Sequence, residues 1–228
     1  MTVIRIDNLA GVPILFDRDP ISNHGRTGYA IRPKIDAAFG AEADRAFSEV
    51  FISLSASDIG EVQSILTGGI SRSGSSASYH HKKRAFDLDG LVFTSGYVWV
   101  ANTLPTRRFE YLLIEGHLRR VFGTVLTYGF DDQQRDHIHF DNGESVGFRP
   151  HSKSRTLFLQ NVLRYLFDEN VEVDGVYGPE TRRAERVVRD ELQIGHLSKT
   201  FNWLEFLTAS IEAAEERLSS AAILKAFG

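Results

Sequence analysis

The sequence predicts an α+β fold: a small antiparallel sheet with flanking helices, followed by a small all-α C-terminal domain. Apolar residues recur at helical spacing in two N-terminal stretches, alternate as in strands in the segments that follow each of them, and return to a purely helical pattern beyond residue 150. Of the 228 residues, 42% are hydrophobic and 25% are charged, which suffices for a packed core. These values exclude disordered and collagen-like classes.

The first predicted elements are helices. Between Arg32 and Leu66 the apolar residues lie at helical spacing, which predicts two or three helices, the last ended by Gly68 and Gly69. A polar loop rich in Gly and Ser follows at 71–78. The change of composition separates this helical region from the strands that come next.

Alternation then predicts a β-hairpin, because 85–93 alternates before running apolar and a second apolar run follows at 97–100. A further helix is predicted over 107–127. Beyond it, 135–141 has the pattern of a short strand. We expect Asp136, Ile138 and Phe140 on one face of that strand and His137, His139 and Asp141 on the other.

The composition changes again at 148–153, where Pro150 indicates a linker. Two amphipathic helices are predicted after it, the second opened by Pro179, and a last helix is predicted from Phe201 to Phe227. We therefore divide the chain into 1–148, a helical domain at 149–195, and a C-terminal helical extension at 196–228.

Charge and cysteine content narrow the function. The 26 Lys and Arg against 30 Asp and Glu give a net charge of −4, which argues against a nucleic-acid partner. With no cysteine, a disulfide framework is excluded and a transition-metal site has to use histidine and carboxylate ligands. The eight histidines are therefore the residues to place.

The N-terminus lacks the basic start and apolar run of a signal peptide, and no stretch reaches the roughly 18 apolar residues of a membrane span. We expect a protein made in the cytoplasm without a signal peptide and without a membrane span.

Two polar clusters, about fifty residues apart, carry the candidate chemistry. The first is Ser78–Asp87, which contains His80 and His81, and the second is Asp136–His139. A hydrolytic zinc ion takes three nitrogen or oxygen ligands and keeps a fourth position for water, so one His and one Asp from the first cluster with one His from the second form a suitable set. The alternative is that each histidine is only hydrogen-bonded in a loop.

These residues resemble the zinc motifs of the peptidoglycan-cleaving D-alanyl-D-alanine carboxypeptidases and L-alanyl-D-glutamate endopeptidases. The family pattern S-x-H-x-x-G-x-A-x-D is matched by Ser78, His80, Ala85 and Asp87, with Lys83 at the glycine position. Its later carboxylate and H-x-H are matched by Asp136, His137 and His139.

The resemblance implies zinc as the cofactor, with His80, Asp87 and His139 as its ligands. It also implies Asp136 as the general base and His137 as a second group near the substrate. Arg72 lies in the loop where the family usually carries an arginine near the substrate, although the surrounding residues differ. Two alternatives inside the motif stay open: His81 in place of His80, and Asp89 as a ligand or as a partner that orients a histidine.

The C-terminal segment resembles the small three-helix peptidoglycan-binding repeat. Its L-Q-x-x-L signature is matched by Leu159, Gln160 and Leu163, and its D-G-x-x-G-x-x-T signature by 174–181. The match weakens after Val188. This resemblance implies attachment to peptidoglycan, while a turn and a helix start in any helical hairpin explain the same residues.

We therefore expect a monomeric zinc metallopeptidase that hydrolyses a peptide bond of the peptidoglycan stem peptide and reaches the wall after release, as a phage endolysin or particle-borne enzyme does, or by another export route. The alternative is a wall-binding or particle structural protein that keeps the fold without catalysis. His117, Trp99 and Trp203 are expected to be structural, because each lies in an apolar stretch.

Overall fold

A computed structural model describes residues 2–16, 28–56, 59–71, 73–74 and 78–227, with side chains through residue 220. Over these residues the fold is mixed α/β, with five helices and a multistranded sheet, as the sequence predicts at this level. The helices are α1 (Ala37–Ser55), α2 (Arg108–Val121), α3 (Lys153–Tyr165), α4 (Pro179–Glu191) and α5 (Thr200–Phe227). The strands are β1 (Val3–Arg5), β2 (Asn8–Leu9), β3 (Val12–Phe16), β4 (Tyr29–Ala30), β5 (Lys34–Asp36), β6 (Val62–Gly69), β7 (Ala85–Phe93), β8 (Val98–Val100), β9 (Thr124–Leu126) and β10 (Ile138–Asp141).

The main sheet has eight strands in the order β2-β3-β6-β7-β10-β9, with β4 beside β3 and β8 beside β7, while β1 and β5 form a separate ribbon. It differs from the predicted small antiparallel sheet, because β3 and β6 pair in parallel. A parallel pair needs a long crossover connection, and the connection between β3 and β6 contains α1. The other ladders of the main sheet are antiparallel.

The predicted run of helices between Arg32 and Leu66 is wrong at both ends. Asp36 ends β5 and caps α1, its carboxylate accepting a hydrogen bond from the Phe39 amide at 3.2 Å. The end of the run is strand β6, which lies between β3 and β7 in the sheet, so four consecutive residues at 64–67 are buried. A strand buried on both faces loses its alternation, which explains why its pattern resembled a helix.

The helix predicted over 107–127 ends at Val121. Phe122 is already extended, with φ −110° and ψ 133°, and a Cβ at Gly123 would lie 2.1 Å from the Glu144 carbonyl oxygen. Only glycine permits this close approach of two backbones. The residues beyond it form β9, which pairs with β10.

One face of the sheet packs on α1 through aromatic side chains. Phe86 of β7 and Phe140 of β10 stack with ring centroids 5.3 Å apart, and Phe47 of α1 contacts both. Ile138 and Phe140 are fully buried on this side, as the alternation predicts, but the strand begins at Ile138 and not at residue 135, so Asp136 precedes it. The opposite face of β7 and β10 therefore carries the polar side chains.

The C-terminal helices continue this core. Trp203 of α5 packs on Phe158 of α3 and stacks on Phe206, and the buried Arg119 of α2 donates to the Ser154 carbonyl at 2.9 Å. Trp99 and Trp203 are each 1% exposed, which confirms that both belong to the core. The apolar cluster runs from the sheet through α2 to α5, while the boundaries at 148 and 195 stay predictions.

No helix in the described part of the chain is long and apolar enough to cross a membrane.

Candidate metal centre

Strands β7 and β10 bring the two polar clusters of the sequence together. They pair antiparallel, and the register places His139 directly opposite Asp87. Residues opposite each other in such a pair have Cβ atoms about 4.5 to 5.5 Å apart on the same face of the sheet. Two residues 52 positions apart in the chain thereby become neighbours.

A tight turn over 78–84 brings the third residue, His80, to the same place. Backbone amides close the turn, since Lys83 donates to the His80 carbonyl at 3.1 Å and Arg84 to the Tyr79 carbonyl at 2.9 Å. Lys83 has a φ of 61°, the left-handed conformation that favours glycine. The family pattern has glycine at this position, so the turn keeps a glycine conformation although lysine occupies it.

Three side-chain atoms converge at this point. His80 Nε2 lies 3.1 Å from Asp87 Oδ1 and 3.2 Å from His139 Nδ1, and His139 Nδ1 lies 2.9 Å from Asp87 Oδ1. The side chains of these residues are 5%, 1% and 13% exposed, respectively. We call these three residues the ligand triangle. They are the three residues that the family resemblance implies as ligands, and the structure brings them together.

Each histidine has one inner ring nitrogen, which faces the triangle, and one outer ring nitrogen, which faces away from it. The outer nitrogens of both rings have acceptor partners that fix the tautomers. His80 Nδ1 donates to the Ile70 carbonyl at 3.2 Å, and His139 Nε2 donates to Asp141 Oδ2 at 3.1 Å. Because a carbonyl and a carboxylate only accept, each outer nitrogen carries the proton. The inner nitrogens of the neutral rings are then lone pairs directed at the triangle. Histidines that bind metals in proteins have this arrangement.

The electrostatics favour a cation in the triangle. Burial alone would raise the pKa of Asp87, but hydrogen bonds from His139 and His80 and the charges of His80 and His137 hold it well below its usual value. Burial would lower the pKa of His139, but hydrogen bonds to Asp141 and Asp87 and the charges of both raise it to about 9. Two carboxylates thus stabilise positive charge on this ring, and a metal ion replaces the proton when it binds.

The donor set fits zinc. A tetrahedral zinc site with bonds of about 2.0 to 2.1 Å places its ligand atoms about 3.3 Å apart, close to the separations in the triangle. Two neutral imidazoles and one carboxylate give the nitrogen and oxygen ligands of hydrolytic zinc sites. Manganese and other divalent ions accept the same donor types, so the geometry indicates a metal site more firmly than it identifies the ion.

His137 and Asp136 form a pair beside the triangle. His137 Nδ1 donates to Asp136 Oδ1 at 2.7 Å, and the other ring nitrogen, Nε2, lies 3.7 Å from Asp87 Oδ1. The side chain of His137 is 10% exposed, whereas that of Asp136 is 37% exposed. Asp136 is therefore near the triangle without belonging to it, as expected for a group that exchanges protons with water.

Of the remaining candidates, neither His81 nor Asp89 supplies an atom to the cluster of ligand atoms found among the described residues. Asp89 is 5% exposed on the same strand as Asp87. Arg72 lies outside the described residues.

A cavity of about 380 Å³ opens over the triangle, and its wall includes Gln133 and Gln134, which the sequence reasoning missed. Both glutamines lie in a short 3-10 turn, and their backbone amides donate to the Asp131 carboxylate at 2.9 and 3.0 Å. The wall is completed by residues of the triangle and its neighbours: His80, Asp87, Leu126, His137 and His139. An Asp followed by amide residues was the available sequence signal for this capped turn.

Asp141 is the second group without a role in the sequence reasoning. It is 5% exposed and accepts from the outer nitrogen of His139, as described above. Alternation placed it on the same face as His139, and the spacing of two residues on a strand was the signal that relates them.

The residues that resemble the peptidoglycan-binding repeat hold a turn together. The Gln160 side chain is 1% exposed; its Nε2 donates to Asp174 Oδ1 at 2.8 Å and to Thr181 Oγ1 at 3.0 Å, and its Oε1 accepts from the Gly175 amide at 2.8 Å. These signature residues thus bind one another, and this gives them a structural role.

Comparison of the chain with protein-family models, with curated proteins and with solved structures finds no match. The residues of the site and the resemblance of its motifs are therefore what indicates a function.

Proposed function

We propose that this protein is a zinc-dependent hydrolase that cleaves a peptide bond in the peptidoglycan stem peptide, with His80, Asp87 and His139 as the zinc ligands. The observation that carries the proposal is the ligand triangle, in which three ligand atoms lie 2.9 to 3.2 Å apart. Both outer histidine nitrogens are held by acceptors, so the inner ones are available to a metal.

A zinc ion held by His80, Asp87 and His139 would act as a Lewis acid that polarises a carbonyl and acidifies water. Of the protein's own acid and base groups, His137 borders the cavity and Asp136 is hydrogen-bonded to His137. Asp136 accepts a proton at its carboxylate, which is both exposed and hydrogen-bonded to His137. His137 borders the cavity, and when protonated its Nε2–H donates to negative charge that develops on the carbonyl oxygen.

The substrate class comes from the two motif resemblances, which both point to peptidoglycan. The cavity of about 380 Å³ has room for part of a stem peptide. Action on the wall would follow release by phage lysis, carriage on a particle, or another export route.

The test is hydrolysis of purified sacculi by the zinc-loaded protein, read as release of free amino groups and as muropeptide masses, which also identify the bond. We expect release by the wild type and a loss of about 10² to 10⁴ in rate for Asp136→Asn with zinc fully bound. Asp132→Asn is the matched control, because Asp132 is 87% exposed in the same loop and pairs with Arg135.

An Asp136→Asn protein with full zinc and the parent rate would contradict the role of Asp136. A zinc-loaded wild type that sediments with sacculi but releases nothing would contradict the hydrolase and favour the wall-binding protein instead.

A further inference from the structure

We propose that the segment Asp141–Gly143, which ends β10 and which we call the positioning segment, fixes the directions of both histidine ligands. The proposal rests on the proposed zinc site and extends it to residues outside the triangle. One short segment contacts His139 on its own strand and both ends of the turn that carries His80.

The contact with His139 is made by Asp141. Its Oδ2 accepts from His139 Nε2 at 3.1 Å, and its Oδ1 accepts from the Gly143 amide at 2.7 Å. Because both oxygens are engaged and the residue is 5% exposed, the carboxylate cannot rotate without losing a hydrogen bond. Asp141 therefore sets both the plane of the His139 ring and the nitrogen that carries its proton.

The contact with the start of the turn is made by Gly143. A Cβ at this position would lie 2.4 Å from Cζ of Tyr79, so the Tyr79 ring occupies space that only glycine leaves open. Tyr79 immediately precedes His80. Placement of the ring on Gly143 thus places the backbone of the first ligand.

The contact with the end of the turn is made by Asn142. Arg84 donates from Nε to Asn142 Oδ1 at 2.8 Å and from a terminal nitrogen to the Asn142 carbonyl at 3.0 Å. Asn142 Nδ2 in turn donates to Glu42 of α1 at 2.7 Å. The turn is therefore attached at both ends to the segment that also holds His139.

The test measures zinc affinity by competition with a chromophoric chelator, together with the visible absorption spectrum of the cobalt-substituted protein. Asp141→Asn is nearly isosteric, but it has a single acceptor oxygen for two donors. We expect it to bind zinc about 10 to 100 times more weakly and to alter the cobalt spectrum. Asp36→Asn is the matched control: Asp36 is also buried and its carboxylate accepts a backbone amide, but that carboxylate caps α1 and not a ligand. The substitution keeps the Asp36 backbone amide, which donates to the Lys83 carbonyl at 2.8 Å.

Gly143→Ala tests the other half of the segment. Its added methyl should displace Tyr79 and weaken zinc binding, and it should cost no further affinity in a Tyr79→Ala background, where the methyl has space. Circular dichroism and unfolding of the metal-free proteins separate lost affinity from lost fold.

The outcomes distinguish the two proposals. If the folded wild type takes up no zinc, the metal site and the positioning segment are both overturned. If the wild type binds zinc and Asp141→Asn binds it equally tightly with an unchanged cobalt spectrum, only the positioning role is overturned. Equal losses of zinc affinity in Asp36→Asn and Asp141→Asn would also overturn the positioning role, because they would show that any loss of stability weakens zinc binding.

Discussion

The cluster around Gln160 and the ligand triangle are both buried and polar, but their atoms are matched in different ways. Around Gln160, donors meet acceptors: the amide nitrogen faces a carboxylate and a hydroxyl, and the amide oxygen faces backbone N–H groups. In the triangle, two imidazole nitrogens and a carboxylate oxygen point at one another. A cluster with complementary partners stabilises the fold by itself, whereas two ring nitrogens and a carboxylate that converge need a positive charge between them, either a proton on His139 or a metal ion.

The largest expected effect is at the triangle. We expect Asp87→Asn to abolish zinc binding and with it the zinc-dependent stabilisation, about 4 kcal/mol for the wild type at a free zinc concentration of 1,000 times Kd. Denaturant unfolding with zinc and with chelator measures the difference. Zinc that raised the unfolding free energy of Asp87→Asn as much as that of the wild type would remove the distinction between the two clusters.

The matching substitution in the other cluster is Gln160→Leu, which leaves the buried partners of the amide unsatisfied. We expect a loss of about 2 to 4 kcal/mol in the free energy of unfolding, with zinc affinity unchanged. Gln63→Leu, on an exposed position of β6, is the control and should change stability little. A Gln160→Leu protein as stable as its parent would show that the signature residues serve something other than the fold.

A third test uses a buried histidine outside the triangle. His117 is 4% exposed, its Nε2 lies 2.9 Å from Ser53 Oγ, and burial followed by the charge of Arg120 lowers its pKa from 6.5 to about 4. The folded state thus disfavours the charged form, opposite to His139. Neutral His117 contributes fully to the free energy of unfolding above pH 6.5. This contribution is lost as the pH falls toward 4, because the unfolded chain binds the proton first.

Over that range we expect the free energy of unfolding of the wild type to fall by about 3 kcal/mol relative to that of His117→Gln, because glutamine does not titrate. Urea unfolding of both proteins at several pH values measures the difference. Parallel pH profiles would show that His117 does not change its protonation on unfolding.

The smallest effect concerns the turn that carries His80. Lys83→Gly should raise the free energy of unfolding by about 0.5 to 1 kcal/mol, because glycine adopts the left-handed conformation without a Cβ penalty. Lys82→Gly, in the same turn but without a positive φ, should lower it instead. Destabilisation by Lys83→Gly would mean that the lysine side chain contributes more than its backbone conformation costs.

Spacing indicated one His and one Asp from the first cluster with one His from the second, and the family resemblance specified His80, Asp87 and His139. The structure brings these three side chains together. The helical hairpin after Pro150 and the buried roles of Trp99, Trp203 and His117 were also predictable from apolar periodicity.

The secondary-structure predictions from the sequence are wrong where a segment's position in the fold overrides its local pattern. Strand β6 lies in the middle of the sheet and is buried on both faces, so its apolar residues lost the alternation that identifies a strand. Strand β9 became visible only through its pairing with β10. Asp141 and Gln134 each had a local signal, the alternation along β10 and the Asp cap of the 3-10 turn, but neither signal shows that Asp141 binds the His139 ring or that Gln134 lines the cavity.

The most direct test of the account is the zinc content of the folded protein after chelator treatment, reloading and removal of free metal. The account predicts one zinc per chain in the wild type and none in His80→Ala, with both proteins folded by circular dichroism. A folded wild type without zinc, or a His80→Ala protein that retains the same zinc as tightly, would contradict it.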